Sequence, residues 1–375
     1  MLLLHILLTF QIFVMKKHFT YKKHQLALII PGHNEELVIE KTIHSAIAAG
    51  LSTAHIYVVS DNSSDKTAEL AEAILGKSHV ISVRRSGKAV AIKKAIRAFR
   101  IKSRYTWLHI ADADSAFEGK YFSILKKELD PVKYVAATGY VKSMYGGWIS
   151  KYRAYEYSFG QEIMRRIQHM LGVIPVIPGP TSCFRTDILK DLDFETHNFT
   201  EDFDITIQIH RKKLGRIGFI SQARTLTQDP KDYADYVKQI TRWYRGFWQG
   251  VLSYKIGRKW QKIDGYLGYQ ILEMFAYYFN LLVLLPILLL SGRGVHVIAQ
   301  TFLLDVGIFF AMTLMACVVH RRLDIISAFP LFYLLRITNM AIYVKAFFEV
   351  IVFRRFRDRQ IGWSTANRRY KVAEV

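Results

Sequence analysis

From Leu26 to Glu128 the hydrophobic pattern alternates between two kinds of segment. Continuous apolar runs at Leu26–Ile30, Ile56–Val59, Val80–Val83 and Tyr105–Ile110 have the length and the β-branched or aromatic content of buried strands. Between them, Leu37–Ala49, Lys66–Leu75 and Lys88–Ile101 repeat apolar residues at the helical period, and Gly50 supplies a stop for the first. Strand and helix in this rhythm build βαβ units and a parallel sheet, so an α/β fold is expected. A further strand is expected at Val135–Tyr140, then an aromatic, basic helix near Ile149–Met170 and a Pro/Gly-rich loop at Pro175–Thr181. Thr200 is positioned to cap a helix that runs to Leu214 and closes at Gly215.

The pattern then changes. Asp232–Tyr254 reads as an amphipathic helix with Tyr233, Tyr236, Ile240, Tyr244, Phe247 and Val251 on one side. Gln239, Arg242, Trp243, Gly246, Gln249 and Gly250 gather on another, and the two glycines there predict close approach of a ligand or of another backbone. Ile271–Ser291 and Val297–His320 are long enough to cross a bilayer, despite Glu273 and Asp305. Ile325–Phe353, interrupted by Pro330, Arg336 and Lys345 and basic at both ends, fits a re-entrant or interfacial segment better than one crossing. Met1–Met15 is apolar but short, with Lys16, Lys17, Lys22 and Lys23 after it, the reverse of a secretory signal; it reads as a truncated or interfacial anchor.

Charge sharpens this picture. The 375 residues carry 52 Lys and Arg against 31 Asp and Glu, a net +21, while 51% are hydrophobic. Such a balance suits an anionic membrane face or phosphorylated substrates. The basic residues flank the apolar runs, with no single groove-facing basic helix, so nucleic acid is not an expected partner. Two distant cysteines, Cys183 and Cys317, make neither a disulfide framework nor a zinc site, which suits a cytoplasmic catalytic part.

In open parallel sheets ligands bind beyond the carboxyl ends of the strands. Three polar stretches fall there: Pro31–Glu36, Ser60–Thr67 and Asp112–Ser115. Asp112 and Asp114, one residue apart after a strand, suit either a turn or helix cap or a cation site. No glycine-rich phosphate cradle of dinucleotide or P-loop type is present, so a diphosphate here needs other positive charge. A divalent cation on Asp112 and Asp114 would supply it, with Arg85, Lys88 and Arg242 adding more. His33 and His109 lack metal-ligand spacing and are expected to be structural, as is Cys183.

Taken together, PGHNEE (Pro31–Glu36), DNSSDKT (Asp61–Thr67), SGKA (Ser86–Ala89), DADS (Asp112–Ser115), TED (Thr200–Asp202) and Gln239-Ile-Thr-Arg242-Trp243 resemble the membrane-bound family-2 glycosyltransferases of GT-A fold. That group makes cellulose, chitin, hyaluronan and poly-N-acetylglucosamine, and Glu156–Gln168 and TEDFDIT are most similar to the last. The resemblance implies an α/β, GT-A (Rossmann-like, mostly parallel sheet) domain joined to α-helical transmembrane segments. Pro31, Glu35, Asp61, Lys88 and Asp112 would bind the nucleotide sugar, with Asp61 on the uracil. Asp114, with Asp112, would hold Mg²⁺ or Mn²⁺. Asp202, beside Glu201, would be the general base. Gln239, Arg242 and Trp243 would hold the diphosphate and the acceptor.

The implied partners are a UDP-sugar (UDP-N-acetylglucosamine by resemblance), a polysaccharide or lipid-linked acceptor, the bilayer, and accessory membrane or export subunits. The implied setting is an integral membrane protein with its catalytic domain cytoplasmic. The chain accordingly divides into a membrane anchor with its basic flank (1–24), the GT-A domain (25–230), an amphipathic interfacial helix (231–262), transmembrane or re-entrant helices (263–353) and a basic tail (354–375). Alternatives are a single sugar addition to a lipid acceptor and a non-catalytic membrane scaffold of an export complex.

Overall fold

The computed structural model describes residues 24–355, apart from 145, 196–197 and 292–293. The N-terminal anchor and most of the basic tail lie outside the described residues. One eight-stranded sheet in the order β3-β2-β1-β4-β7-β6-β8-β5 organises the first two thirds of the chain. Its strands are β1 (His24–Gly32), β2 (Ile56–Asp61), β3 (Val80–Val83), β4 (Tyr105–Ile110), β5 (Ala116–Phe117), β6 (Ala136–Ser143), β7 (Ser182–Arg185) and β8 (Ile217–Thr227). The β3-β2-β1-β4 half is parallel, as the alternating pattern requires. Strand β7 then runs antiparallel to both β4 and β6, making the sheet mixed.

The central parallel strands are mostly apolar because both their faces are covered. One face packs Leu26, Leu28, Ile30 and Val58 against α1 (Ile39–Ala48) and α2 (Thr67–Leu75). The other packs Ala27, Ile29, Tyr57 and Val59 against α3 (Lys88–Ala98). Helix α4 (Tyr121–Glu128), strands β5, β7 and β8 were not among the sequence expectations. They are short, or alternate too weakly beside turn residues, and they are held by pairing with distant strands.

The expected aromatic helix is α5 (Trp148–Ser158), which passes through a π-helical turn (Phe159–Met164) into α6 (Arg165–Leu171). Helix α7 (Glu201–Arg211) starts after Thr200 as expected, but the Thr200 side chain makes no capping bond. Helix α8 (Tyr233–Ser253) is capped by Asp232, whose carboxylate accepts from the Asp235 N–H at 2.9 Å.

Three further helical stretches follow: α9 (Lys262–Phe279), with a π-helical turn (Asn280–Leu284) and α10 (Leu285–Leu290); α11 (Val295–His320); and α12 (Phe329–Phe347). The Ile271–Ser291 segment is therefore an interrupted helix. Among the described residues, Val295–His320 and Leu323–Val352 are long and apolar enough to cross a membrane by length and composition. Leu272, Phe279, Leu290, Leu303, Leu304 and Val318 are exposed, an apolar exterior that water penalises.

Helix α12 lies along α8. Tyr236 Oη donates to Asn339 Oδ1 at 2.7 Å, Trp248 Nε1 to the Tyr343 carbonyl at 3.3 Å, and Arg245 to Glu349 at 2.6 Å. Asp305, an acid within an apolar run, pairs with Arg336 at 2.9 Å.

Candidate functional site

Strands β2, β1 and β4 are neighbours, so their carboxyl ends bring Asp61, Pro31–Glu35 and Asp112–Asp114 to one sheet edge. Beyond that edge lies a cavity of about 1110 Å³. Pro31, Glu35, Lys88, Asp112 and Asp114 line one end of it. Glu201 and Asp202 face it from α7, and Gln239, Arg242 and Trp243 from α8. It continues to Gln270 and Glu273 on α9 and Tyr343 on α12. A separation of up to 343 − 31 = 312 positions in sequence collapses into a single chamber.

Lys88 joins the sheet edge to α7. Its Nζ lies 2.6 Å from Asp112 and 2.7 Å from Glu201. A cation on the first residue of a helix opposes the helix dipole, and burial alone would depress the ammonium. The two carboxylates outweigh both effects and hold it protonated, well above the ordinary lysine range. Gly179, in the Pro/Gly loop, makes room for this pair: a Cβ there would fall 2.7 Å from Asp112 Oδ2 and 3.0 Å from Lys88 Nζ. That loop is tied to α7 by the Ile177 N–H, which donates to Thr206 Oγ1 at 2.9 Å.

The adjacent acids of α7 are driven apart. Burial opposes ionisation of Glu201, yet Lys88 and Arg242 hold its carboxyl below the usual range. Asp202 is raised to about 6, first by burial and then by the charge on Glu201, with Lys88 opposing. The two neighbours are thereby split, Glu201 favouring its anion and Asp202 holding its proton to higher pH. Asp202 Oδ1 also accepts from the Phe203 N–H at 2.8 Å.

Asp61, expected to read a uracil, also has partners within the protein. It is fully buried, with Oδ1 accepting from the Ser86 N–H at 2.8 Å and Oδ2 from the Gly87 N–H at 2.9 Å. Its carboxylate therefore shapes the loop that presents Lys88. A short acid after a strand satisfies exposed loop N–H groups whenever they come within reach, which sequence spacing does not reveal. His33 donates from Nδ1 to the Asp61 carbonyl at 2.8 Å, and its other nitrogen faces Arg85. His109 is buried against the Ile110 carbonyl (2.9 Å) and the Tyr121 hydroxyl (2.8 Å), and burial lowers it to about 3. Both histidines have structural partners. Cys183 is a buried free thiol, pushed up by burial.

Gly246 and Gly250 admit the side chains of Thr200 and Phe203, at the start of α7, rather than a ligand or backbone. A Cβ on Gly246 would lie 2.2 Å from Thr200 Oγ1, and one on Gly250 would lie 2.3 Å from Phe203 Cε1. These glycines set how closely α8 can approach the start of α7. Sequence reasoning missed Tyr157 and Asp229, which also line the chamber, and Arg153, which bonds Gln239 from behind it. Arg153 is buried within an aromatic helix, where the pattern alone reads as core. Asp229 is raised to about 7 by burial, against the pull of its Ser143 bond and Arg153.

Residues 24–246 match the family model described as glycosyltransferase like family 2. The chain belongs to glycosyltransferase family 2. Over 228 residues it is 26% identical to poly-beta-1,6-N-acetyl-D-glucosamine synthase of Staphylococcus aureus, covering 59% of this chain and 54% of that one. Over 257 residues it is 23% identical to hyaluronan synthase 2 of Gallus gallus, covering 62% and 46%. The chain thus spans about half the length of these curated relatives. Among solved structures, the mannosyltransferase PcManGT of Pyrobaculum calidifontis, in complex with GDP-Man and Mn²⁺, shares the fold. Its TM-score is 0.53 at 16% identity, covering 86% of this chain and 92% of that one. The GT-A reading of the sheet therefore holds, and the domain is a glycosyltransferase related to polysaccharide synthases.

Proposed function

We propose that this glycosyltransferase transfers a sugar from a UDP-sugar, with UDP-N-acetylglucosamine the first candidate, to the end of a growing β-linked polysaccharide. The observation that carries this reading is the continuity of the chamber from the Asp112–Asp114 end, past Asp202 and Trp243, to α9 and α12. Its volume of about 1110 Å³ exceeds the range of roughly 300–1,000 Å³ that serves one small ligand. That size supports a donor and an acceptor bound side by side, and its far end meets the helices with apolar exteriors. Those helices embed the enzyme in the membrane and export the product, with the sheet domain on the cytoplasmic side.

In the reaction Asp202 takes the proton of the acceptor hydroxyl as its oxygen bonds to the anomeric carbon. The bond from that carbon to the diphosphate breaks on the opposite face, so configuration inverts. Glu201, held ionised by Lys88, keeps Asp202 basic enough for this task. Arg242 and Lys88 supply fixed positive charge for the diphosphate.

The donor set fits a divalent cation of a particular kind. Among the described residues no three His, Cys, Asp or Glu side chains converge on one point. A pair of carboxylates suits Mg²⁺ or Mn²⁺ that completes its shell with phosphate oxygens and water. Asp114 would hold it, joined by Asp112 when that carboxylate exchanges Lys88 for the metal. When bound, the ion stabilises charge on the leaving diphosphate.

Apolar Leu267 and Met274 at the far end also suit single addition to a lipid-linked acceptor. Membranes holding the full chain, given a panel of labelled UDP-sugars with Mg²⁺ or Mn²⁺, separate the readings. A polymer cut by a linkage-specific hydrolase supports the proposal; a single labelled lipid product refutes polymerisation, and no sugar transfer from any donor refutes both.

A further inference from the structure

Arg153 lies on α5, outside every motif, yet its side chain is only 2% exposed and is the junction of three helices. Nη1 donates to Glu156 Oε2 at 2.7 Å, and Nη2 donates to Gln239 Oε1. The guanidinium carbon sits 4.7 Å from the Trp243 ring centre and 4.8 Å from that of Tyr236. Glu156 Oε1 in turn accepts from Asn339 Nδ2 at 3.1 Å, and Asn339 Oδ1 accepts from Tyr236. One guanidinium therefore touches both Gln239 and Trp243, chamber-facing residues of α8, while Glu156 and Asn339 extend the network to α12. Among the described residues Nε is buried without a hydrogen-bond partner.

The chemistry of the contact determines what Gln239 can offer. Arginine has donors only, so the amide oxygen must turn towards it, leaving the Gln239 NH₂ as the group available to the chamber. Gln239 is thereby a hydrogen-bond donor, suited to hydroxyl, ring or phosphate oxygens. The Trp243 ring carries a guanidinium against it, which fixes its plane as well as contributing cation–π attraction.

We propose that Arg153 is the positioning residue of the acceptor site: it orients the Gln239 amide as a donor and seats the Trp243 ring for a sugar. The kinetic half of this inference rests on the polysaccharide-synthase reading; the geometric half does not. Lysine cannot replace the planar fork, because one ammonium cannot bridge Glu156 and Gln239 while stacking on two rings.

The test uses the full chain in detergent, as Arg153→Lys and as the charge-balanced pair Arg153→Met with Glu156→Gln, which strands no buried charge. With 5-fluorotryptophan labelling, the Trp243 fluorine resonance is assigned by its loss in Trp243→Phe. In both variants it should shift, while that of Trp107, in the sheet core, stays. With a β-linked N-acetylglucosamine oligomer as acceptor, KM should rise about 30-fold, the loss expected for one charge-assisted hydrogen bond. UDP affinity should stay within about threefold, since Arg153 makes none of the donor-end contacts. An unmoved Trp243 resonance overturns the inference, as does a Trp107 resonance that moves with it alongside loss of UDP binding. Full recovery by lysine also overturns it, reducing Arg153 to a point charge. Should the wild type transfer no sugar at all, the function proposed above fails while the fluorine spectra still decide the positioning role.

Discussion

Replacing Asp202 by asparagine should remove activity and stabilise the protein at once. In the fold the carboxyl is held at about 6 against an ordinary 3.8, because it is buried beside Glu201. The difference, 6 − 3.8 = 2.2, corresponds to about 3 kcal/mol at 1.36 kcal/mol per pH unit. A carboxyl raised by folding favours the folded state at low pH, and that contribution is lost as pH rises through about 6. At pH 8 ionised Asp202 therefore costs up to about 3 kcal/mol, a cost asparagine does not bear. By the same linkage the difference falls to roughly half near pH 5 and vanishes below the unfolded value.

Thermal unfolding of the detergent-solubilised chain should show Asp202→Asn melting roughly 5 °C above wild type at pH 8, with a smaller gain at pH 5. Sugar transfer should fall by about 10²–10⁴-fold, the usual contribution of a general base, with UDP binding retained. A variant less stable than wild type at pH 8, or one with the same gain at both pH values, would refute the claim that Asp202 is held as a strained, poised base.

Lys88→Met should cost at least about 100-fold in transfer and move the acid limb of the pH–rate profile above 6, because Lys88 is a charge that eases Asp202 ionisation; an unmoved limb sinks that coupling. Asp114→Asn should abolish stimulation by Mg²⁺ or Mn²⁺ in UDP-release assays, and chelation of wild type should have the same effect; metal-stimulated turnover by the variant would dismiss Asp114 as a ligand. In Gly246→Ala the new methyl meets Thr200, and displacement of α7 should cost about 1–3 kcal/mol in denaturant melts and lower kcat more than UDP affinity. Unchanged kcat there would mean that the helix spacing is not critical. Arg211 and Asp264, almost wholly buried and 2.6 Å apart, link α7 to α9. Asp264→Ala should therefore cost about 3–5 kcal/mol by stranding the arginine, read as a loss of folded protein on heating.

The amino-acid sequence alone determined the parallel half of the sheet, the helices α1 to α3, the amphipathic α8 and the apolar runs beyond it. These depend on periodicity and punctuation, which are local properties of the chain. It also placed part of the chamber's lining, since the ends of the adjacent strands β1 and β4 deliver Pro31, Glu35, Asp112 and Asp114 to it. Strands β7 and β8 escaped because long-range pairing stabilises segments whose own pattern is weak.

What only the tertiary structure decided is how the polar residues share their partners. Lys88 reaches Asp112 and Glu201, which lie 24 and 113 positions further on. That bridge separates Glu201 from Asp202 in charge although they are adjacent in sequence. Asp61 is drawn into its own loop, Gly246 yields to Thr200, and Arg153 reaches α8 across 86 positions. Each outcome follows from where helices cross and which donors arrive first at a carboxylate. Burial then magnifies those encounters into shifted protonation and oriented amides, because a charge taken out of water responds strongly to its few remaining neighbours.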